Sequence, residues 1–141
     1  MSEDCIFCRI IAGQAPSERI YEDARVFAML DIMPAAEGHL LIVPKRHCAD
    51  IFDADPEDIA QIGRVSVTLA KALERTLGAE GLGVYQLNRA AAGQTVFHYH
   101  THLIPRWAGA EPRLHGRERA SGEALAALGA RLREALTGIA H

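Results

Sequence analysis

No stretch of this sequence is long and apolar enough to span a bilayer. Its opening, MSEDCIFCRI, carries acids and lacks the apolar core of a signal peptide. The expectation is a cytoplasmic protein with no membrane attachment. Excess positive charge is missing too. The formal net charge is −3, which leaves no basic footprint for nucleic acid and requires any phosphate site to be local. Cysteine is scarce: three residues, an odd number with one close pair, make no disulfide framework and fit a reducing compartment. Linkers, internal repeats and low-complexity tracts are absent as well. The 141 residues, 49% of them hydrophobic, therefore read as one domain, 1–141, able to bury a core.

What is present reads as alternating short strands and helices. Residues 5–12 suggest a short helix, and SERIYEDARVFAMLDI a hairpin with strands near 18–22 and 25–31. GHLLIVPK, 38–45, is a continuous apolar run, as expected of a strand buried on both faces. Asp55 is a candidate N-cap, Pro56 suits the first helical position, and Glu57 and Asp58 suit the positive end of the helix dipole. Ile59, Ile62, Ser66, Leu69, Leu73 and Leu77 follow at helical spacing until Gly78. Strands are expected over 82–89 and 96–104. Leu125, Leu128, Leu132, Leu136 and Ile139 mark a C-terminal amphipathic helix. The fold class is α+β: an antiparallel sheet of about five strands with one long helix and a C-terminal helix.

Three of the seven histidines fall in VFHYHTHLIPRW, 96–107. The run is rich in Val, Phe, Tyr, Thr and Ile, and Pro105 is expected to stop the strand. Strict alternation sends His98, His100 and His102 to one face and Phe97, Tyr99, Thr101 and Leu103 to the other, with imidazoles roughly 7 Å apart. Three readings stand. The histidines are partly buried polar residues, or ligands of one metal ion. Alternatively, one neutral imidazole attacks an electrophile while its neighbours bind substrate. The loop NRAAAGQT just upstream offers small residues, an amide and a hydroxyl, which suit an anion held beside a nucleophile. Cys5 and Cys8 form Cys-x-x-Cys, either a redox pair or half of a zinc site.

HYHTHLI matches the His-x-His-x-His-x-x signature of the histidine triad (HIT) family of nucleotide hydrolases and transferases. CIFCRII, LDIMPAAEGHLLIVPKRH and GQTVFHYHTHLIPRW extend the resemblance over nearly the whole chain, which looks like the zinc-containing bacterial type. The resemblance implies a HIT-like fold, and a homodimer joined through strand 82–89 and the long helix. It implies a purine nucleotide substrate, such as a phosphoramidate, adenylate or dinucleoside polyphosphate. His100 would attack the α-phosphorus and carry a nucleotidyl–histidine intermediate, releasing a nucleoside monophosphate. His102 and His39 would line the phosphate pocket, and Asn88, Gln94 and Thr95 would contact the phosphates or leaving group. Asp31 would receive the ribose hydroxyls, with Phe7, Leu30 and Ile32 around the base. Structural zinc would be held by Cys5, Cys8, His47 and His98.

Two rivals belong to other classes: a metal-dependent hydrolase using all three histidines as ligands, and a nucleotide sensor or scaffold with incidental activity. Cys48 reads as a bystander thiol, Trp107 as a packing residue and His141 as a frayed terminus. PRLHGRER, 112–119, reads as a solvated loop that would add positive charge near a polyphosphate tail.

Overall fold

A computed structural model describes residues 4–113, 115–116 and 118–139; Arg117 of the basic loop and His141 lie outside them. The chain begins with a short helix, α1 (Ile6–Ile11), capped where Cys5 Sγ accepts the Cys8 N–H. Strands β1 (Arg19–Glu22) and β2 (Val26–Leu30) form the expected hairpin. Its turn is tied by Asp23, whose Oδ1 accepts the N–H groups of Arg25 and Val26, an Asx turn.

Strand β3 (Leu40–Pro44) is buried at every position, as its unbroken apolar run requires. Helix α2 (Pro56–Leu77) starts at an Asp55 cap accepting the Glu57 N–H at 2.9 Å, and ends at Gly78 with φ +61°. A capping carboxylate of this kind is worth about 1 kcal/mol. Strand β4 (Gly81–Gln86), β5 (Thr101–Arg106) and helix α3 (Gly122–Thr137) complete the fold. The sheet is antiparallel in the order β1-β2-β3-β5-β4.

Period-two alternation divides the sheet between two cores. Val26, Ala28, Leu30, Leu40, Ile42 and Leu103 face α2 and α3, meeting Leu69, Leu73 and Leu132. Phe27, Met29, Leu41 and Val43 face the other way and pack with Phe7 of α1. That second face carries the site. No helix among the described residues is long and apolar enough to cross a membrane.

Two expected strands differ in extent. The histidine segment is not a strand from 96: β5 begins at Thr101, so His98 and His100 precede it. The Tyr99 N–H bonds Cys48 O at 2.8 Å rather than a neighbouring strand. This fits the alternation only in part, with Tyr99 buried and Phe97 54% exposed. Nor does Pro105 stop β5, which runs through it to Arg106. The pairing with β3 ends at Leu103, so a proline two residues further on removes no bond to that strand. Strand β4 is shorter than 82–89 because the Asn88 amide turns back to bond Gln86 and the Ile51 N–H.

Candidate active site and metal-ligand cluster

Helix α1, the loop after β3 and the approach to β5 bring Cys5, Cys8, His47 and His98 together. Their donor atoms all lie within 4.8 Å of one another. Cys5 Sγ is 3.3 Å from His98 Nδ1, and Cys8 Sγ is 3.3 Å from His47 Nδ1 and 3.6 Å from His98 Nδ1. The two imidazole nitrogens are 3.2 Å apart. Zinc bond lengths and tetrahedral angles put ligand atoms about 3.3–3.8 Å apart, so the donor set fits that ion.

The tautomer fits as well. His98 Nε2–H donates to Pro44 O at 2.7 Å, which leaves the Nδ1 lone pair directed at the thiols. Burial pulls His98 down to about 4, against the opposing pull of that carbonyl, so the ring is neutral as a ligand must be. Burial also pushes the Cys5 thiol up. Cys48 stands outside this cluster, in the main core, with its thiol raised to about 11 by burial.

Two residues on, the same anchoring is used in reverse. His100 Nδ1–H donates to His98 O at 2.7 Å, leaving the Nε2 lone pair unprotonated. The ring is held edge-on by Phe7, 5.2 Å away between centroids, and lines a cleft of about 660 Å³. His102 stands beside it with ring centroids 4.9 Å apart.

Behind His102 a chain of bonds fixes its proton. The Ala35 N–H donates to His39 Nδ1 at 2.9 Å, so His39 carries its proton on Nε2 and donates it to His102 Nδ1, also at 2.9 Å. His102 therefore keeps its own proton on Nε2, as a donor. Burial lowers His39 to about 3 and His102 to about 4, the crowding of imidazoles further disfavouring a charge on either, and burial also lowers His100. All three are neutral near pH 7.

Phe7, Leu30, Asp31, Ile32 and Thr95 line the cleft with His100 and His102. The Asp31 carboxyl is raised by burial, against the Met33 N–H that it accepts at 2.9 Å. His39, Asn88 and Gln94 are not in the lining. His39 is 1% exposed and stands behind His102. Gln94 spends its amide on the Arg89 N–H and on the carbonyls of Ala49 and Val96. Asn88 is engaged by Gln86 and Ile51. Both amides clamp the 87–96 loop onto residues 49–51. Among the described residues His98, His100 and His102 form no common donor set, which speaks against one ion held by all three.

Sequence reasoning missed the segment that closes the cleft. His115, Gly116 and Arg119 line it, with the His115 ring 6.4 Å from that of His102. The segment is pinned by Ala120 N–H to Ile32 O at 2.8 Å. Gly116 lies so close to residues 33–34 that a Cβ would meet Pro34 O at 2.2 Å. The basic run was visible; its return over the cleft was not. Trp107 packs by α2, its indole N–H donating to Leu77 O at 3.3 Å.

The HIT domain family model matches residues 12–109. The chain belongs to the HIT family. The protein named Protein hit from Bacillus subtilis is 42% identical over 106 residues, covering 75% of this chain and 73% of that protein. The Adenylylsulfatase HINT3 of Arabidopsis thaliana is 35% identical over 121 residues, 82% of this chain and 61% of that one. A Zn-bound histidine triad family protein from Mycobacterium smegmatis has a TM-score of 0.86 and 38% identity, covering 96% of this chain and 94% of its own. In this HIT chain the described triad divides its labour: His98 lies among the thiols, while His100 and His102 stand at the cleft.

Proposed function

We propose that this HIT protein is a nucleotidyl hydrolase or transferase acting at the α-phosphate of a purine nucleotide. The observation that carries this reading is the His100 tautomer. With Nδ1–H held by His98 O, the free Nε2 is a nucleophile in a walled cleft at neutral pH.

In the first step a bond forms from Nε2 to the α-phosphorus, and the bond from phosphorus to the leaving group breaks. The positive charge on the substituted ring is shared through Nδ1–H with the carbonyl. His102 Nε2–H, fixed by the His39 relay, donates to a phosphoryl oxygen where charge develops, and the exposed Thr95 hydroxyl offers a second donor. Asp31 accepts from the ribose hydroxyls. Water or another acceptor then attacks phosphorus, returns His100 to its neutral form and releases the nucleoside monophosphate or its ester.

Cys5, Cys8, His47 and His98 would hold zinc with four protein ligands. Such a closed site braces structure rather than activating water. Support for a nucleotide substrate also comes from the adenylylsulfatase relative, and for zinc from the Zn-bound neighbour.

A homodimer belongs to the same proposal. Strand β4 is a sheet edge, and Val84 on it and Val67 on α2 are 60% and 58% exposed. An apolar edge of this kind calls for a partner. Light scattering on the Val84→Lys variant tests this, with a shift to monomer expected.

The test of the chemistry is rapid quench with a labelled nucleoside phosphoramidate. An acid-labile adduct on His100 is expected, and full turnover by His100→Ala would overturn the mechanism.

A further inference from the structure

Nothing in the chemistry above explains a carboxylate at the far, largely apolar end of the cleft. Glu18, immediately before β1, lines that end beside Ser17 and Leu125. Its position is fixed from three sides. Its backbone carbonyl accepts the Leu30 N–H at 3.1 Å. Its Oε1 accepts from Arg133 Nη1 at 2.7 Å. Gly129 of α3 comes so near that a Cβ there would lie 2.4 Å from the same oxygen. Oε2 has no partner among the described residues, and the side chain is only 21% exposed. One oxygen is therefore spent on holding the carboxylate in place, and the other remains as an acceptor.

The sheet register gives the direction of the cleft. His102 pairs with Leu41, Leu41 with Met29, and Met29 with Arg19. His102, Leu41 and Met29 all line the cleft, so this cross-strand row is its floor. Three strand spacings put about 14 Å between the backbones at the two ends. The row ends at Arg19, the neighbour of Glu18, so a nucleotide with its α-phosphate at His100 and His102 and its ribose at Asp31 would lay its base over Met29, toward the end of the cleft that Glu18 lines.

We infer that Glu18 is a specificity-determining residue that accepts hydrogen bonds from the donor edge of a guanine base, making guanine nucleotides the preferred substrate class. This rests on the cleft being a nucleotide site. An ionised carboxylate only accepts. Guanine presents two adjacent donors, N1–H and the 2-amino group, whereas adenine presents only its 6-amino group and hypoxanthine only N1–H. Hydrogen bonds to a charged acceptor are the stronger kind.

The experiment is calorimetric titration of the full chain with GMP, AMP and IMP, repeated on Glu18→Gln and Glu18→Ala, with a melting curve for each variant. The wild-type chain is expected to bind GMP about tenfold more tightly than AMP, the equivalent of one extra charged hydrogen bond, with IMP between. In Glu18→Gln the amide keeps the Arg133 contact through its oxygen and turns a donor toward the base. GMP then loses about tenfold and the GMP and AMP affinities converge. Glu18→Ala removes the preference without that donor. Equal GMP and AMP binding by the wild-type chain, or a guanine preference that survives in folded Glu18→Gln, would overturn the role of Glu18 and leave the nucleotide site standing. Failure of all three mononucleotides to bind would overturn the nucleotide site itself.

Discussion

His98 and His100 are two residues apart, both buried, and both anchored by one ring N–H on a backbone carbonyl. They differ in which nitrogen is tethered. His98 gives Nε2–H to Pro44 and turns Nδ1 to the thiols. His100 gives Nδ1–H to His98 and keeps Nε2 for the cleft. One side chain type thus serves two purposes through the choice of tethered atom. The first ring joins a convergent set of four donor groups. The second stands beside His102, whose proton is set by His39 behind it.

The largest expected effect separates the two directly. His100→Ala should lower turnover by at least about 10³-fold, as loss of a nucleophile does, while its melting temperature stays near that of the parent in a thermal scan. Cys5→Ser or Cys8→Ser should do the reverse. A few kcal/mol of metal-linked stability is at stake in such a site, so the melting temperature should fall by roughly 10 °C in metal-replete buffer while the labelled His100 adduct still forms. Comparable activity losses in all three variants would erase the division between the clusters.

His39→Leu is expected to be milder. It removes the donor that fixes the proton of His102 and should cost about tenfold to a hundredfold in kcat, the scale of one buried hydrogen bond, with KM little changed in steady-state assays. The smallest effect is on stability against pH. His39 and His102 are held near 3 and 4 in the fold, against an ordinary value of 6.5. Between 6.5 and those values the unfolded chain binds more protons than the folded one. Stability is therefore complete above about 6.5 and declines as pH falls toward the folded values. Melting curves across that window should show the slope, and His39→Leu should flatten it.

Local chemistry was the most legible part of the sequence. The Asp55–Pro56 start and Gly78 stop of α2 depend on neighbouring atoms alone, and both lie where the sequence puts them. The unbroken apolar run of β3 announced burial on both faces for the same reason.

Errors arose where distant partners decide. Period two was real around His102, but His98 and Tyr99 answer to the end of β3 at Pro44, to the thiols and to Cys48, outside the β3–β5 ladder. Gln94 and Asn88 are polar residues in a small-residue loop, a pattern equally suited to an anion site and to a clamp. Only the carbonyls and N–H groups of residues 49–51 reveal the clamp. Glu18 belongs to no motif, and its place in the cleft depends on a helix more than a hundred residues later.

Gly116 sets a limit on the mouth of the cleft. Its missing methyl is what lets the backbone at Gly116 rest on the carbonyls of Met33 and Pro34. Any larger residue there would prop the rim outward and widen the doorway beside His102. One carbon atom fewer thus keeps this wall of the cleft close against the turn after β2.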